Sequence, residues 1–390
     1  MSFLTKLSTI LAKPKRLAIG IMSGTSIDGV DVALVEISGS GMETQVSLVA
    51  AETFPIPPSL RRDILASFSG STRDVCEMNF RLGRLFAECA AALCFKNSVQ
   101  LQDVDFIGSH GQTLYHIPPA TDGVASTLQV GEPACIAERF GCMVISNFRT
   151  RDMAAGGDGA PLVPFVDQLL FTRKGKRRGI VNIGGIANIT VVDGLDPANN
   201  FAFDTGPGNM IIDAMARRID PTLPYDRGGA LAAQGRVDRE LLKDLIQDEY
   251  FDREPPKSTG RERFGEQYAE ALLKVVPQEK WLDALATVTA LTAKTISNAI
   301  ADHVIPRGGS VWELLLCGGG VHNKTLVQFL VDCCPDIQIR RTDDEGIPGD
   351  SKEAIAFAVL ANQTLHGLSG NLPKATGAEY PVVLGVITPG

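Results

Sequence analysis

Asp204 stands at the end of a short apolar run, Phe201-Ala202-Phe203, and is followed at once by Thr205-Gly206-Pro207-Gly208-Asn209. A carboxylate at a strand end, beside glycine-rich backbone, is placed to act as a general base near phosphate, since strand ends feeding a cleft gather such groups. Its other use would be to cap the helix expected from Met210, for which Asn209 is the better-placed residue. Two hairpin turns precede this acid in the sequence: Ser23-Gly24-Thr25-Ser26-Ile27-Asp28-Gly29, and Gly184-Gly185 with Asn182 just before it. Turns of this composition offer N–H and hydroxyl donors to phosphate oxygens, because glycine allows close approach; equally, any hairpin needs turn residues. A third cluster, Gly318-Gly319-Gly320, ends the apolar run LLLC. It makes either a surface for a flat base and ribose or only a strand-to-helix turn.

Other candidates are less sharply placed. Asp152 and Asp158 lie in a polar run, Glu353 opens a late helix, and His110 and His116 flank a loop with no third ligand at metal spacing. No metal ligands are therefore assigned. There is no Gly-x-x-x-x-Gly-Lys-Ser/Thr run and no Gly-x-Ser-x-Gly elbow, which argues against a P-loop NTPase and a serine hydrolase.

The elements that must carry these residues follow from periodicity. Residues 17–22 and 30–37 read as paired strands, with a third at 44–54; residues 179–183 and 186–192 form a second hairpin. Short strands at 105–109 and 142–147 run into loops at His110–Thr113 and 149–159, and further strands are expected at 311–317 and 337–340. Helices are expected at 79–96, 210–218, 323–333 and 351–363, the stretch 230–308 is mostly helical with breaks at Pro255-Pro256 and Pro277, and the tail reads as loop. A strand, a glycine turn and a returning strand occur twice, so the two halves share an architecture although not a sequence repeat.

The 390 residues suggest two or three domains, and 44% hydrophobic content excludes wholesale disorder. The balance of 37 Lys+Arg against 45 Asp+Glu, a formal charge of −8, argues against a nucleic-acid partner but leaves phosphate ligands open, since backbone N–H groups can hold them. Glycine is in excess, 39 of 390 residues against an average of about 7%. The eight cysteines form no CxxC pair or zinc spacing, no apolar run approaches a membrane span, and the first residues do not read as a signal peptide. A cytoplasmic protein without membrane contact is the expectation.

Six ordered runs then carry a resemblance: residues 19–31 (IGIMSGTSIDGVD), 109–113 (SHGQT), 151–157 (RDMAAGG), 159–164 (GAPLVP), 182–188 (NIGGIAN) and 203–209 (FDTGPGN). Together they resemble the anhydro-N-acetylmuramic acid kinases, bacterial enzymes of cell-wall recycling, over residues 16 to 365. Asp158 and Asp167 stand where Gln and His are commoner in that family. The resemblance implies an α/β, two-domain actin-like ATPase (ribonuclease H-like) fold with ATP in an interdomain cleft. Domain I would span 1–147 and 351–390 and domain II 148–350. It also implies a hydrolytic phosphorylation: 1,6-anhydro-N-acetylmuramic acid, ATP and water give N-acetylmuramic acid 6-phosphate and ADP.

On the same ground Asp204 would be the base that activates water. Ser23, Gly24, Thr25, Ser26, Asp28, Gly29 and Asp31 would serve ATP from the first turn, Asn182, Gly184, Gly185 and Gly206 from the second side, and Gly318, Gly319 and Gly320 at the adenosine, with Mg²⁺ bridging phosphates. His110, Gln112, Thr113, Arg151 and Glu353 would meet the amino sugar. Arg151 could pair with its lactyl carboxylate or simply with Asp152. A homodimer is expected from the family and from the frequency of C2 assemblies. The alternatives are a kinase for another sugar or carboxylic acid on the same fold, and an ATP-switched binding protein.

Overall fold

Runs rich in β-branched and aliphatic residues fold as strands at both expected hairpins. In the computed structural model, which describes residues 2–119 and 123–390, β1 (Lys15–Ser23) and β2 (Gly29–Ser38) pair antiparallel, and β3 (Gln45–Pro55) extends the meander. β4 (Phe106–Ile117) lies parallel to β1, with β5 (Ser126–Val130) antiparallel to its outer half, and β6 (Met143–Ser146) runs parallel to β4. Helix Thr72–Lys96, opened by a reciprocal Ser71–Asp74 capping box, turns Met78, Leu82, Phe86, Ala90 and Leu93 into a core with Ile19, Ile21, Val30 and Val32. Each large apolar side chain so buried contributes about 1.5–3 kcal/mol. Helix Lys352–Leu365, buried along almost its whole length, packs on β1, β2 and β4.

The second sheet repeats the scheme. β7 (Arg177–Ile183), β8 (Ile186–Asp193) and β9 (Phe201–Pro207) form an antiparallel meander, while β10 (Glu313–Cys317) adds parallel to β7 and β11 (Gln338–Arg341) parallel to β10. Helix Trp281–Ala299 supplies Leu285, Val288 and Ile296 to its core, and ends in a π-helical turn, Ile300–Val304. Arg178, buried at the start of β7, pairs with Glu313 at 2.9 Å and Glu345 at 2.9 Å, so the charge that burial would penalise is met twice. Both sheets thus run in one order, three antiparallel strands followed by two parallel ones. This is the doubled core of the two-domain actin-like (ribonuclease H-like) fold.

The chain divides into two units, Met1–Leu170 with Ser351–Gly390, and Phe171–Asp350. The expected boundary at 147/148 therefore moves: Asp152 is hydrogen-bonded to Asn371 and Thr376, and Asp167 to Lys352, which ties 148–170 to the first unit. The tail is not all loop either. Val386–Thr388 pairs antiparallel with β6, completing that sheet's edge. His110 to Thr113 lie inside β4 rather than in a loop, helix Phe148–Ala154 occupies the expected polar run, and Gly208 rather than Asn209 caps helix Asn209–Ile219. The N-terminal residues form helix Phe3–Leu11, whose Lys6 donates to Gly390 O at 2.7 Å. Among the described residues no helix is long and apolar enough to cross a membrane, and all eight cysteines are free thiols.

Candidate active site

In the first unit the turn between β1 and β2 is stapled to β4. Ser23 and Gln112 are register partners at a β-bulge; the buried Ser23 hydroxyl donates to Gln112 Oε1 at 2.7 Å, and Gln112 Nε2 donates to Gly24 O at 3.2 Å. Two residues expected to serve different ligands therefore stand side by side. Thr25, Ser26 and Asp28 are exposed, with Ser26 Oγ donating to Asp28 Oδ1 at 2.8 Å, while Thr53 Oγ1 donates to Asp31 Oδ1 at 2.6 Å. A Cβ added at Gly24 would meet nothing closer than Ser26 Oγ at 3.7 Å, so the backbone there is open to an approaching group. Thr113 Oγ1 accepts from Gln129 at 3.2 Å.

His110 is buried, its ring 4.7 Å from that of Phe357. Arg149 Nε donates to its Nε2 at 2.9 Å, which puts the ring proton on Nδ1, facing Gly111 O at 2.8 Å. Burial, with the Arg149 guanidinium beside it, holds the imidazole well below its ordinary pKa, so it is neutral. Arg149 also donates to Gly159 O at 2.8 Å; burial lowers its pKa to about 10, with Glu353 and Asp152 opposing the fall. Arg151 sits exposed on the opposite side of the short helix Phe148–Ala154. Asp152 is occupied elsewhere, by Asn371 at 2.6 Å, Thr376 at 2.8 Å and the Gly159 N–H at 2.8 Å. Arg149 is thus a partner of His110 that the motif did not single out; the signal was Phe148 and Asp152, whose four-residue spacing marks the helix's inner face.

Glu353 opens helix Lys352–Leu365. Burial pushes its carboxyl above the ordinary value, Lys352 and Arg149 pull it down, and Asp31 and Asp167 push it further up. Lys352 Nζ is held by both Asp167 oxygens, at 2.9 and 3.0 Å, so Asp167 forms a buried ion pair. Asp158 is exposed, its N–H donating to Thr376 O at 2.7 Å.

In the second unit three glycine segments pack on one another. The carbonyls of Gly184 and Gly185 accept the N–H groups of Asn209 at 2.7 Å and Gly208 at 2.9 Å, so the second turn caps helix Asn209–Ile219. Gly184 N–H donates to Ile186 O at 3.2 Å. A Cβ at Gly208 would overlap Gly184 O, and one at Gly318 or Gly320 would overlap Asn182 or Ile183. Gly319 differs: its nearest neighbour would be Asn209 Nδ2 at 3.8 Å.

Asp204 lies on β9 at a bulge, opposite Asn188, while Gly206 lies opposite Ala187. Such an irregularity re-aims a side chain beside a strand end. Its Oδ2 accepts the Thr259 N–H at 3.0 Å, its own N–H donates to Lys257 O at 3.1 Å, and its carbonyl accepts the Tyr250 hydroxyl at 2.7 Å. Burial raises the carboxyl pKa to about 6, the Thr259 N–H opposing and Glu262 reinforcing. A carboxylate so tuned is ionised at neutral pH yet basic enough to take a proton from water. Burial alone does not mark a base, since Asp213 inside helix Asn209–Ile219 is also raised to about 6; Asp204 adds the strand-end position and the fixed oxygen. The clamp from Tyr250, Lys257 and Thr259 was missed in the sequence, where only the break at Pro255-Pro256 interrupted an apparently helical stretch.

A model of the family described as anhydro-N-acetylmuramic acid kinase matches residues 16–390. The chain is similar to the anhydro-N-acetylmuramic acid kinase of Caldanaerobacter subterraneus subsp. tengcongensis, 44% identical over 395 residues that cover 98% of this chain and 99% of the relative. Those of Clostridioides difficile and Bacillus cereus are 43% and 46% identical over 377 residues, in each case 95% of this chain and 98% of the relative. Matched along nearly its whole length, the chain belongs to the anhydro-N-acetylmuramic acid kinase family.

Proposed function

We propose that the chain is an ATP-dependent kinase that opens 1,6-anhydro-N-acetylmuramic acid with water and phosphorylates it to N-acetylmuramic acid 6-phosphate, a step of peptidoglycan recycling. The observation that carries the reading is Asp204, a clamped strand-end carboxylate with a pKa raised to about 6. It takes a proton from water as the water oxygen bonds to the anomeric carbon. The bond from that carbon to O6 breaks, and O6 takes the γ-phosphoryl group of ATP, releasing ADP. One base then serves both bond changes.

On this reading the exposed Thr25 and Ser26 and the open backbone at Gly24 meet the phosphates, and the open face of Gly319 meets the adenosine. Mg²⁺ would come with the nucleotide, held mainly by phosphate oxygens and water. Asp28 and Asp31, at the first turn, are the carboxylates that suit its outer contacts, and the ion would offset charge on the transferring group. Neutral His110, Gln112, Thr113 and Glu353 serve the sugar, and exposed Arg151 its carboxylate. A cytoplasmic homodimer completes the proposal, in keeping with the need for ATP, the free thiols and the frequency of two-fold assemblies.

The test is incubation of the purified protein with ATP, Mg²⁺ and the anhydro sugar, followed by product analysis. Formation of ADP and the 6-phosphate in equal amounts is expected. Phosphorylation of ordinary hexoses or hexosamines with none of the anhydro sugar would overturn the reading.

A further inference from the structure

The clamp on Asp204 raises the question of what holds the clamp. All three of its contacts come from the connection 250–259, which contains no regular element of its own. A cavity of about 60 Å³ lined by Thr205, Phe251, Lys257, Thr295 and His303 lies against it, so the connection is not wedged in place by packing alone. Its fixed point is the side chain of Lys257, only 6% exposed. The ammonium donates to Phe251 O at 2.9 Å and approaches Tyr250 O at 3.4 Å, folding the connection back on itself. It also lies 5.1 Å from the centre of the Tyr250 ring and 5.9 Å from that of Phe203.

Burying an ammonium without a directly paired carboxylate is costly. Here its partners are carbonyls, rings and an imidazole: His303 Nε2 lies 3.3 Å from Lys257 Nζ. Burial and the adjacent ammonium lower the His303 pKa, which leaves Nε2 as an acceptor and the proton on Nδ1, on the side of Glu254 at 3.8 Å. His303 belongs to the π-helical turn Ile300–Val304, a distortion found disproportionately at functional sites, and its ring meets Phe203 edge-on at 5.6 Å. Phe203 immediately precedes Asp204. The contacts close a ring: Lys257 to His303, His303 to Phe203, and the Lys257 carbonyl back to the Asp204 N–H. The charged groups acting on Lys257 are Arg253, Glu254, Asp252 and Asp302; the one acting on Asp204 is Glu262, beside the neutral Thr259 N–H that hydrogen-bonds it.

From this geometry we infer that Lys257, with His303 behind it, is a positioning residue for the reaction, fixing the orientation and burial of Asp204 without touching substrate. The inference rests on the reading of Asp204 as the base. A displacement of a reacting group by about 1 Å can cost 10²-fold in rate, so loss of the ammonium has a measurable consequence.

The experiment compares Lys257→Met, Lys257→Arg and Asp204→Asn, alone and with Lys257→Met, in the full-length protein. Lys257→Met is expected to lower kcat about 30- to 100-fold with the KM for ATP changed less than about threefold. The acidic limb of its kcat/KM–pH profile should move down from about pH 6 toward ordinary carboxylate values, because the loosened clamp admits water. Lys257→Arg should recover kcat to within about fivefold, and Lys257→Met should cost nothing further in the Asp204→Asn background. A kcat loss with an unmoved acidic limb, or an additive loss in the double variant, would overturn the positioning role. Should Lys257→Met fail to fold, Tyr250→Phe removes only the hydroxyl on Asp204 O, and an unchanged kcat and pH limb in that variant would equally overturn it. Near wild-type turnover by Asp204→Asn would instead sink the base assignment itself, whatever Lys257 does.

Discussion

The two hairpin turns hold equivalent places in sheets of one strand order, yet their glycines meet different demands. Between β1 and β2 the turn is open: Gly24 has room for a Cβ, and Thr25, Ser26 and Asp28 face solvent. Between β7 and β8 the turn is consumed by its own unit. Gly184 and Gly185 give their carbonyls to the start of helix Asn209–Ile219, and Gly208, Gly318 and Gly320 are small because backbone or Ile183 lies where a side chain would go. A repeated architecture thus takes two forms, one turn open to solvent and the other packed into its own unit. Asp204 belongs to the second unit, where packing buries its carboxylate and raises its pKa to about 6.

This contrast can be broken by substitution. The largest effect is expected in the second unit: Asp204→Asn should lower turnover by about 10²–10⁴-fold while ATP affinity, measured by calorimetry, stays within about twofold. Turnover within tenfold of the unsubstituted enzyme would end the assignment. At the open turn, Gly24→Val should raise the KM for ATP about 10-fold or more with the melting temperature nearly unchanged, since the added side chain meets ligand rather than protein. An unchanged KM would show that the first turn does not face phosphate. Gly208→Ala should do the reverse, destabilising the protein by about 1–3 kcal/mol through overlap with Gly184 O, visible in a thermal melt. A melt identical to wild type would remove the distinction between the turns.

The smallest effect concerns pH. A carboxyl whose folded pKa is raised keeps its proton, between its ordinary value and about 6, after the unfolded chain has lost it. Asp204 therefore makes stability fall as pH rises through that window. Asp204→Asn should melt about 2–4 °C higher than wild type at pH 7.5, with the difference vanishing below about pH 4. Equal melting temperatures at pH 7.5 would indicate that the carboxyl is not raised.

Much of this was readable in the sequence where the signal is local. Val30, Val32, Leu34 and Val35 specify a strand by type, Gly24 and Gly184 mark turns, and Asp204 is conspicuous because an acid seldom follows Phe-Ala-Phe into a glycine run. What escaped depends on partners far along the chain. Val386 and Ile387 read as tail until β6 offers an unpaired edge, and Gln112 and Thr113 read as loop until β5 pairs with them. Arg149 and Arg151 cannot be ranked until the helix face is known, and the inner face takes Arg149 to His110. The clamp on Asp204 was least legible of all: Tyr250, Lys257 and Thr259 lie about fifty residues on, and two of those three residues make their contact through the backbone, which no residue type announces.

The role proposed for Asp204 is to turn water into the nucleophile. Turnover of the anhydro sugar in ¹⁸O-water, with mass analysis of the product, tests it most directly when wild type and Asp204→Asn are run side by side. One ¹⁸O at the anomeric carbon is expected for every phosphoryl group transferred by the wild type, with label and phosphate both appearing at least about 10²-fold more slowly in the variant. Phosphorylated product without label, or labelled product from Asp204→Asn at a comparable rate, would contradict it.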